Sequence, residues 1–261
     1  MQVHENHYIK RAGVAGIRAR ACTLIFTVWL SIVLVRVHNI LQNGVVMIGP
    51  EYVVVVGVLN AGLVSFLGTG FFISKDKIIT SRHVINGFSS NLVISPSNIN
   101  NFNSYQDTSV DKFQCIGVDV IDEDPIKDLC VLKIKNAPVY EPCLKIATLD
   151  DVNVGEDVGI LGFPHCNENR KVLTFQTAKI GAKVLLSSSN IQSKHAVINI
   201  QTRPGQSGSI VFNLKNDSVI GVLVGAYANN SGGSVLVGGI NPAELHQTTY
   251  AVSAEYVKDM L

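Results

Sequence analysis

The sequence predicts an all-β protein, and three observations carry that expectation. From residue 50 onward, short apolar runs alternate with clusters of Gly, Asn, Asp, Ser and Pro, the pattern of strands joined by turns. Amphipathic helices of roughly 10–15 residues, which a parallel α/β sheet places between its strands, do not alternate with these runs. Apolar residues are 47% and charged residues 16% of the 261, enough apolar material for a full core and too little charge for a disordered chain. Many short strands at this spacing mean a sandwich or a barrel.

The first fifty residues differ from the rest. Ala21 to Val35 is an uninterrupted stretch of mostly large apolar residues, preceded by Lys10, Arg11, Arg18 and Arg20 and followed by Arg36. A basic segment before an apolar one describes a secretory signal or a signal anchor. The stretch is shorter than the ~20 residues of a membrane span, and Arg36-Val37-His38 follows it in place of a small-x-small cleavage site. If 21–35 inserts, the basic excess before it keeps the N-terminus inside and exports the remainder, a cell-envelope or membrane-anchored protein. The alternative is translation from Met47 and a cytoplasmic protein.

Tyr52 to Ser74 is also uncharged and long enough to cross a bilayer, but it reads as β. Val53-Val54-Val55-Val56 is β-branched, which suits a strand. Gly57, Gly62, Gly68 and Gly70 would each weaken a helix by about 1 kcal/mol. Asn60-Ala61-Gly62 is a turn between two apolar runs, so a hairpin is expected. Strands are expected near 52–58, 64–73, 77–81, 91–95, 113–121, 129–135, 157–162, 172–182, 195–200, 209–213, 218–227, 234–239 and 249–253. Residues 96–112 and 228–233 read as surface loops, and 136–150, with Pro138 and Pro142, as a connector between halves. A terminal helix closes the chain, with Ser253 as its cap, Glu255 in its first turn, and Val257 and Leu261 four apart. No internal repeat of fixed period is present.

Composition narrows the function classes. A formal net charge of +1 and no Lys/Arg stripe argue against nucleic acid as a partner. Cys22, Cys115, Cys130, Cys143 and Cys166 are too sparse and irregular for a disulfide scaffold. There is no C-x-x-C, so no structural zinc site is expected. Cys130 lies in an apolar run and reads as a small buried hydrophobe.

Three short segments carry candidate chemistry. In Pro204-Gly205-Gln206-Ser207-Gly208 the glycines let the backbone turn sharply around a serine, and the amides of Gly205 and Ser207 can point into one concavity, as an oxyanion hole requires. Ser207 is a weak nucleophile without a base to take its proton. His83, at the end of the Ile78–Ser81 strand, is a candidate base, with His165 and His246 as competitors. Asp128, at the mouth of an apolar strand, can hold an imidazole in one tautomer, with Asp122 and Asp124 as alternatives. A nucleophile elbow of the G-x-S-x-G type is absent, because Ser209 stands where its second Gly belongs.

The contexts of these segments match one family. Gly68-Thr69-Gly70-Phe71-Phe72-Ile73-Ser74 with Thr80-Ser81-Arg82-His83-Val84 resembles the G-x-G-F-x-I-S…T-x-x-H-V block of HtrA-like, trypsin-fold serine proteases. Asp128-Leu129-Cys130-Val131-Leu132-Lys133-Ile134 resembles their D-L-A-V-L-K-I, Gly162-Phe163-Pro164 their G-x-P, and Arg203-Pro204-Gly205-Gln206-Ser207-Gly208-Ser209 their N-P-G-N-S-G-G. Val219-Ile220-Gly221-Val222 and Ala251-Val252-Ser253 extend the likeness, which spans about residues 52–261. The order His, Asp, Ser is also that of chymotrypsin-type enzymes. Ser209-Ile210 in place of Gly-Pro, and Arg203 in place of Asn, are departures.

The resemblance implies two six-stranded antiparallel β-barrels, the first over about 51–140 and the second over 151–252, with the closing helix at 253–261. It implies a serine endopeptidase acting on proteins or peptides, with His83, Asp128 and Ser207 as triad, Gly205 and Ser207 as oxyanion hole, and no metal or organic cofactor. Since the likeness ends at the closing helix, the PDZ domain common in HtrA-like proteins is not expected, and no signal for an oligomeric state is seen. The pocket for the residue before the scissile bond would be lined by Gln201, Thr202 and Arg203 and by Val222, Leu223 and Val224. A neutral Gln201 and branched side chains imply a preference for Ala, Val or Leu over Lys or Arg, while an inward Arg203 would favour an acidic residue. The competing reading is an inactive binding scaffold on the same fold, a pseudoprotease.

Overall fold

The computed structural model describes residues 48–109, 112–135, 144–168, 170–226 and 249–261. The expected apolar stretch at 21–35, the strand near 234–239, the 228–233 loop and His246 lie outside them. Ile48–Leu261 forms one compact unit. Among the described residues no helix is long and apolar enough to cross a membrane.

Among the described residues, twelve strands close two antiparallel barrels. The first is built from β1 (Val53–Asn60), β2 (Leu63–Phe72), β3 (Lys77–Ser81), β4 (Leu92–Pro96), β5 (Ile116–Asp124) and β6 (Leu129–Ile134). The second is built from β7 (Asp157–Gly162), β8 (Thr174–Ser188), β9 (Ile191–Ile198), β10 (Ile210–Asn213), β11 (Val219–Ala226) and β12 (Thr249–Ser253). Around the first barrel the order is β1-β2-β3-β6-β5-β4, and around the second β7-β8-β9-β12-β11-β10, so the two halves share one topology.

The valine run opens this arrangement. Val54 and Val56 point into the first barrel beside Ile78, Ile94 and Leu132. The pleat turns Val53 and Val55 to the opposite face, where β1 meets β7 of the second barrel, and all four are fully buried. Burial on both faces, roughly 1.5–3 kcal/mol for each large aliphatic side chain, is why this strand lacks polar alternation. The expected turn at Ala61-Gly62 has φ of 50° and 83°, the mirror-image geometry that suits a two-residue hairpin.

The second barrel has its own core, including Val158, Ile160, Val211, Ile220, Leu223 and Ala251. Its longest hairpin exceeds the expectation. β8 runs to Ser188, and β9 starts at Ile191 instead of near 195, around a tight turn at Ser189-Asn190 with φ of 50° and 64°. The terminal helix is 3-10 in form, Ala254–Met260. Ser253 does not cap it: its hydroxyl accepts from the Leu149 amide at 3.2 Å.

The segment after β4 is irregular, yet it is not a free surface loop. Gln106 exchanges two hydrogen bonds of 2.8 Å with the Leu173 backbone. Phe102 stacks on Phe175 of β8 at 5.7 Å. Lys171 donates across the same seam to Ser95 Oγ at 2.7 Å and Asn98 Oδ1 at 2.9 Å, with the Phe113 ring 5.5 Å away. Burial pushes its amine down to about 8.

Candidate active site

His83 and Asp128 meet because of strand register. Ser81, the last residue of β3, pairs with Leu129, the first of β6, so the chain leaving β3 lies against the chain entering β6. Arg82 N donates to Asp128 O at 2.9 Å, and His83 N to Asp128 Oδ1 at 2.9 Å. His83 Nδ1 lies 2.5 Å from Asp128 Oδ2. A carboxylate only accepts, so Nδ1 carries a proton, and in the neutral imidazole Nε2 is then the acceptor. Asp128 has φ of 55°, a left-handed conformation that Asp tolerates better than most residues.

The alternative acids and base do other work. Asp124 Oδ1 accepts from the amides of Ile126 and Lys127, and Oδ2 from Lys127 Nζ, which builds the tight β5–β6 turn. Burial raises the Asp124 carboxyl, but Lys127 and these amides outweigh it and hold the group below its ordinary range. Asp122 accepts from the Glu123 amide. His165 pairs with Glu168 at 3.3 Å. His195, in β9, is buried, and desolvation holds its imidazole below the ordinary value against the pull of the Ser193 carbonyl and the Asp128 charge.

Ser207 sits on a turn that two glycines make possible. Gly205 and Gly208 have φ of 90° and 84°. A Cβ at Gly205 would stand 2.7 Å from Phe163 O, and one at Gly208 2.1 Å from Thr69 O, so both positions exclude a side chain by conformation and by space. The Ser207 hydroxyl donates to Val224 O at 3.2 Å rather than to His83.

The amides of this turn divide into two kinds. Gln206 N donates to Arg203 O at 3.1 Å, and Gly208 N to Leu223 O at 2.7 Å. Among the described residues, Gly205 N and Ser207 N have no acceptor. The carbonyls on the far side of their peptide planes are anchored: Pro204 O by His165 N at 2.6 Å, and Gln206 O by Ser209 N at 3.0 Å. In a trans peptide N–H and C=O point oppositely, so anchoring those oxygens directs both free amides the other way.

The pocket segments come together, with a correction. Ser207 Oγ on Val224 O and the Gly208–Leu223 bond join 222–224 to the serine turn. Thr202 is tied to Thr249 by two contacts of 3.3 Å. Gln201 and Arg203 are exposed. Val222 and Leu223, however, are fully buried, and Leu223 packs in the second-barrel core. Alternation along β11, before its bulge between Leu223 and Gly225, sends Val222 and Leu223 to opposite faces, both of them packed, and only Val224 of the three stays partly exposed.

Sequence reading passed over Thr69, the middle residue of Gly68-Thr69-Gly70. Its hydroxyl donates to Gly205 O at 2.8 Å and accepts from Phe163 N at 3.0 Å, and its amide donates to Ser207 O at 2.9 Å. A fully buried hydroxyl residue between two glycines of a strand is the one local sign of such a role.

Two closed barrels of one topology carry His83 and Asp128 on the first and Ser207 on the second. The family model of the trypsin-like peptidase domain matches residues 68–222, which include all three. The chain belongs to this family. The trypsin-like domain is 27% identical over 180 residues to a glutamyl endopeptidase of Staphylococcus epidermidis, covering 65% of this chain and 58% of that protein. The chain therefore spans less than two thirds of that relative's length. Its fold is similar to that of the Rv3671c protease of M. tuberculosis in its active form, with a TM-score of 0.58, 23% identity, and 80% and 79% of the two chains covered. It is similar also to the MamO protease domain of Magnetospirillum magneticum, with a TM-score of 0.58, 15% identity, and 81% and 96% covered. At these identities the two structures speak for the trypsin-like fold alone.

Proposed function

We propose that this trypsin-like domain is a serine endopeptidase that cleaves proteins or peptides through an acyl-enzyme. The observation that carries the reading is the pair of amides, Gly205 N and Ser207 N, that have no acceptor among the described residues, on the turn that bears Ser207. Two donors oriented to one side beside a serine are what an oxyanion hole requires.

In this mechanism substrate binding turns the Ser207 hydroxyl from Val224 O toward His83 Nε2, a bond that in unliganded proteases is often not yet formed. Ser207 Oγ attacks the scissile carbonyl carbon while its proton passes to Nε2. Asp128 holds the imidazole in the Nδ1–H tautomer and stabilises the cation that forms. The carbonyl oxygen becomes an oxyanion held by Gly205 N and Ser207 N, each such donor being worth about 3 kcal/mol. His83 then protonates the leaving amine, and water hydrolyses the acyl-enzyme by the same steps in reverse order.

The deciding experiment is labelling with a fluorophosphonate probe. Wild type should be labelled and Ser207→Ala should not. Labelling of neither rejects this reading in favour of the scaffold, and equal labelling of both rejects Ser207 as the nucleophile.

For specificity, a second reading has its own support. Arg203 is exposed and forms no ion pair among the described residues, and one relative is a glutamyl endopeptidase. Cleavage after an acidic residue through Arg203 therefore stands beside cleavage after small apolar residues against Val224.

A further inference from the structure

Four consecutive peptide units, from Pro204 to Gly208, make up the serine turn, and each of their carbonyls has a donor. Pro204 O takes His165 N, Gly205 O takes Thr69 Oγ1, Gln206 O takes Ser209 N, and Ser207 O takes Thr69 N. Thr69 thus holds the second and fourth units, those that flank the peptide carrying Ser207 N. The second unit also lies directly after Gly205 N.

Thr69 is itself rigidly placed. Its carbonyl accepts from Thr80 Oγ1 at 2.7 Å, its hydroxyl accepts from Phe163 N, and it is fully buried in β2, which pairs with β3. Its hydroxyl therefore donates in one direction only, toward Gly205 O. Gly205 has the broad conformational freedom of a residue without Cβ, so the direction of its neighbouring peptides is not set by local sterics. Among the described residues the other donor near Gly205 O is the Cys166 thiol at 3.8 Å, a long contact from a weak donor.

We propose that Thr69 is a positioning residue for catalysis: from the first barrel, its hydroxyl and amide lock the second-barrel turn in the conformation that presents Gly205 N and Ser207 N to the oxyanion. This inference rests on the endopeptidase reading for its kinetic consequence, and on the hydrogen-bond geometry alone for its structural one. It also explains why a hydroxyl stands between Gly68 and Gly70, where burial would favour an apolar side chain.

Two readouts test it, with Thr69→Val removing the hydroxyl at nearly constant shape and Thr69→Ser retaining it. On a peptide substrate, Thr69→Val should lose about 10- to 100-fold in kcat, the scale of a misplaced catalytic geometry, with KM little changed. Thr69→Ser should stay near wild type. By NMR, the backbone amide resonances of Gly205 and Ser207 should shift in Thr69→Val and hold in Thr69→Ser, whether or not the protein turns over substrate. If wild type and Ser207→Ala label alike with fluorophosphonate, the endopeptidase reading fails, and the amide resonances still decide on Thr69. Wild-type kcat in Thr69→Val, or unmoved Gly205 and Ser207 resonances, overturns the proposal. Should Thr69→Val fail to fold, Thr69→Ala with the same two readouts takes its place.

Discussion

His83 is held to Asp128 by two different bonds, its amide on Oδ1 at 2.9 Å and its imidazole Nδ1 on Oδ2 at 2.5 Å. The backbone bond fixes where the carboxylate sits before the ring engages it. Asp128→Asn keeps the shape and an acceptor for the His83 amide, but its amide nitrogen is a donor that faces the ring and favours the wrong tautomer. Each of Ser207→Ala, His83→Ala and Asp128→Asn should lower kcat at least about a thousandfold, and pairs of them should add little, because the three act as a unit. Kinetics of the singles and doubles on one peptide check this. Additive losses would contradict it.

Gly208→Ala should fold poorly. The new methyl would meet Thr69 O at 2.1 Å and Thr80 Oγ1 at 2.5 Å, on a backbone with φ of 84°. Overpacking and a left-handed alanine together should cost about 2–4 kcal/mol. Urea unfolding should show a lowered midpoint. An unchanged midpoint would mean that the turn relaxes freely, against the close docking of the two barrels here.

A peptide-library profile should show little cleavage after Lys or Arg. Residues 201–203 and 222–224 contain no carboxylate to pair with a basic side chain, and an unpaired buried ion costs several kcal/mol. Cutting after Ala, Val or Leu is expected to dominate. If cutting after Glu dominates instead, Arg203→Gln should remove it and leave apolar cleavage in place. Dominant cutting after Lys or Arg would overturn the pocket.

Lys171 makes stability depend on alkaline pH. Burial lowers its folded value from 10.5 to about 8, so between these values the unfolded chain binds more protons than the folded one. Stability therefore rises as pH increases from 8 to 10.5, by up to about 3 kcal/mol for this group, and the burial penalty is full below pH 8. Denaturant unfolding of wild type against Lys171→Met across this range should show the difference between them changing by that amount. Parallel curves would rule out the buried amine as its source.

Much of the fold was legible in local pattern. The expected bounds of β3, β7 and β12 agree with those observed; β7, for one, is a short apolar run set between Gly155-Glu156 and Phe163-Pro164. His83 and Asp128 each stand beside the end of an apolar run, and their meeting follows from the register of β3 and β6, neighbours that bring those ends together. The hairpin of β8 and β9 was misread because its outer half exposes Leu185 and Ile191 and buries the polar Ser193 and His195, so no apolar period marks it.

What the sequence determined by itself was strand content, the hairpin at Ala61-Gly62 and the three segments that bear the candidate triad. Each depends on neighbours a few residues apart, through the two-residue period of a strand or the φ of a turn. What only the tertiary structure decided was long-range. Both barrels follow one strand order although no sequence repeat announces it. Leu223 turns into the core, Ser253 serves Leu149 instead of its own helix, and Thr69 fastens a turn 136 residues away. A hydroxyl or a carbonyl has the same local signature wherever its partner lies, so its bond is chosen by which strands the closed barrels set side by side.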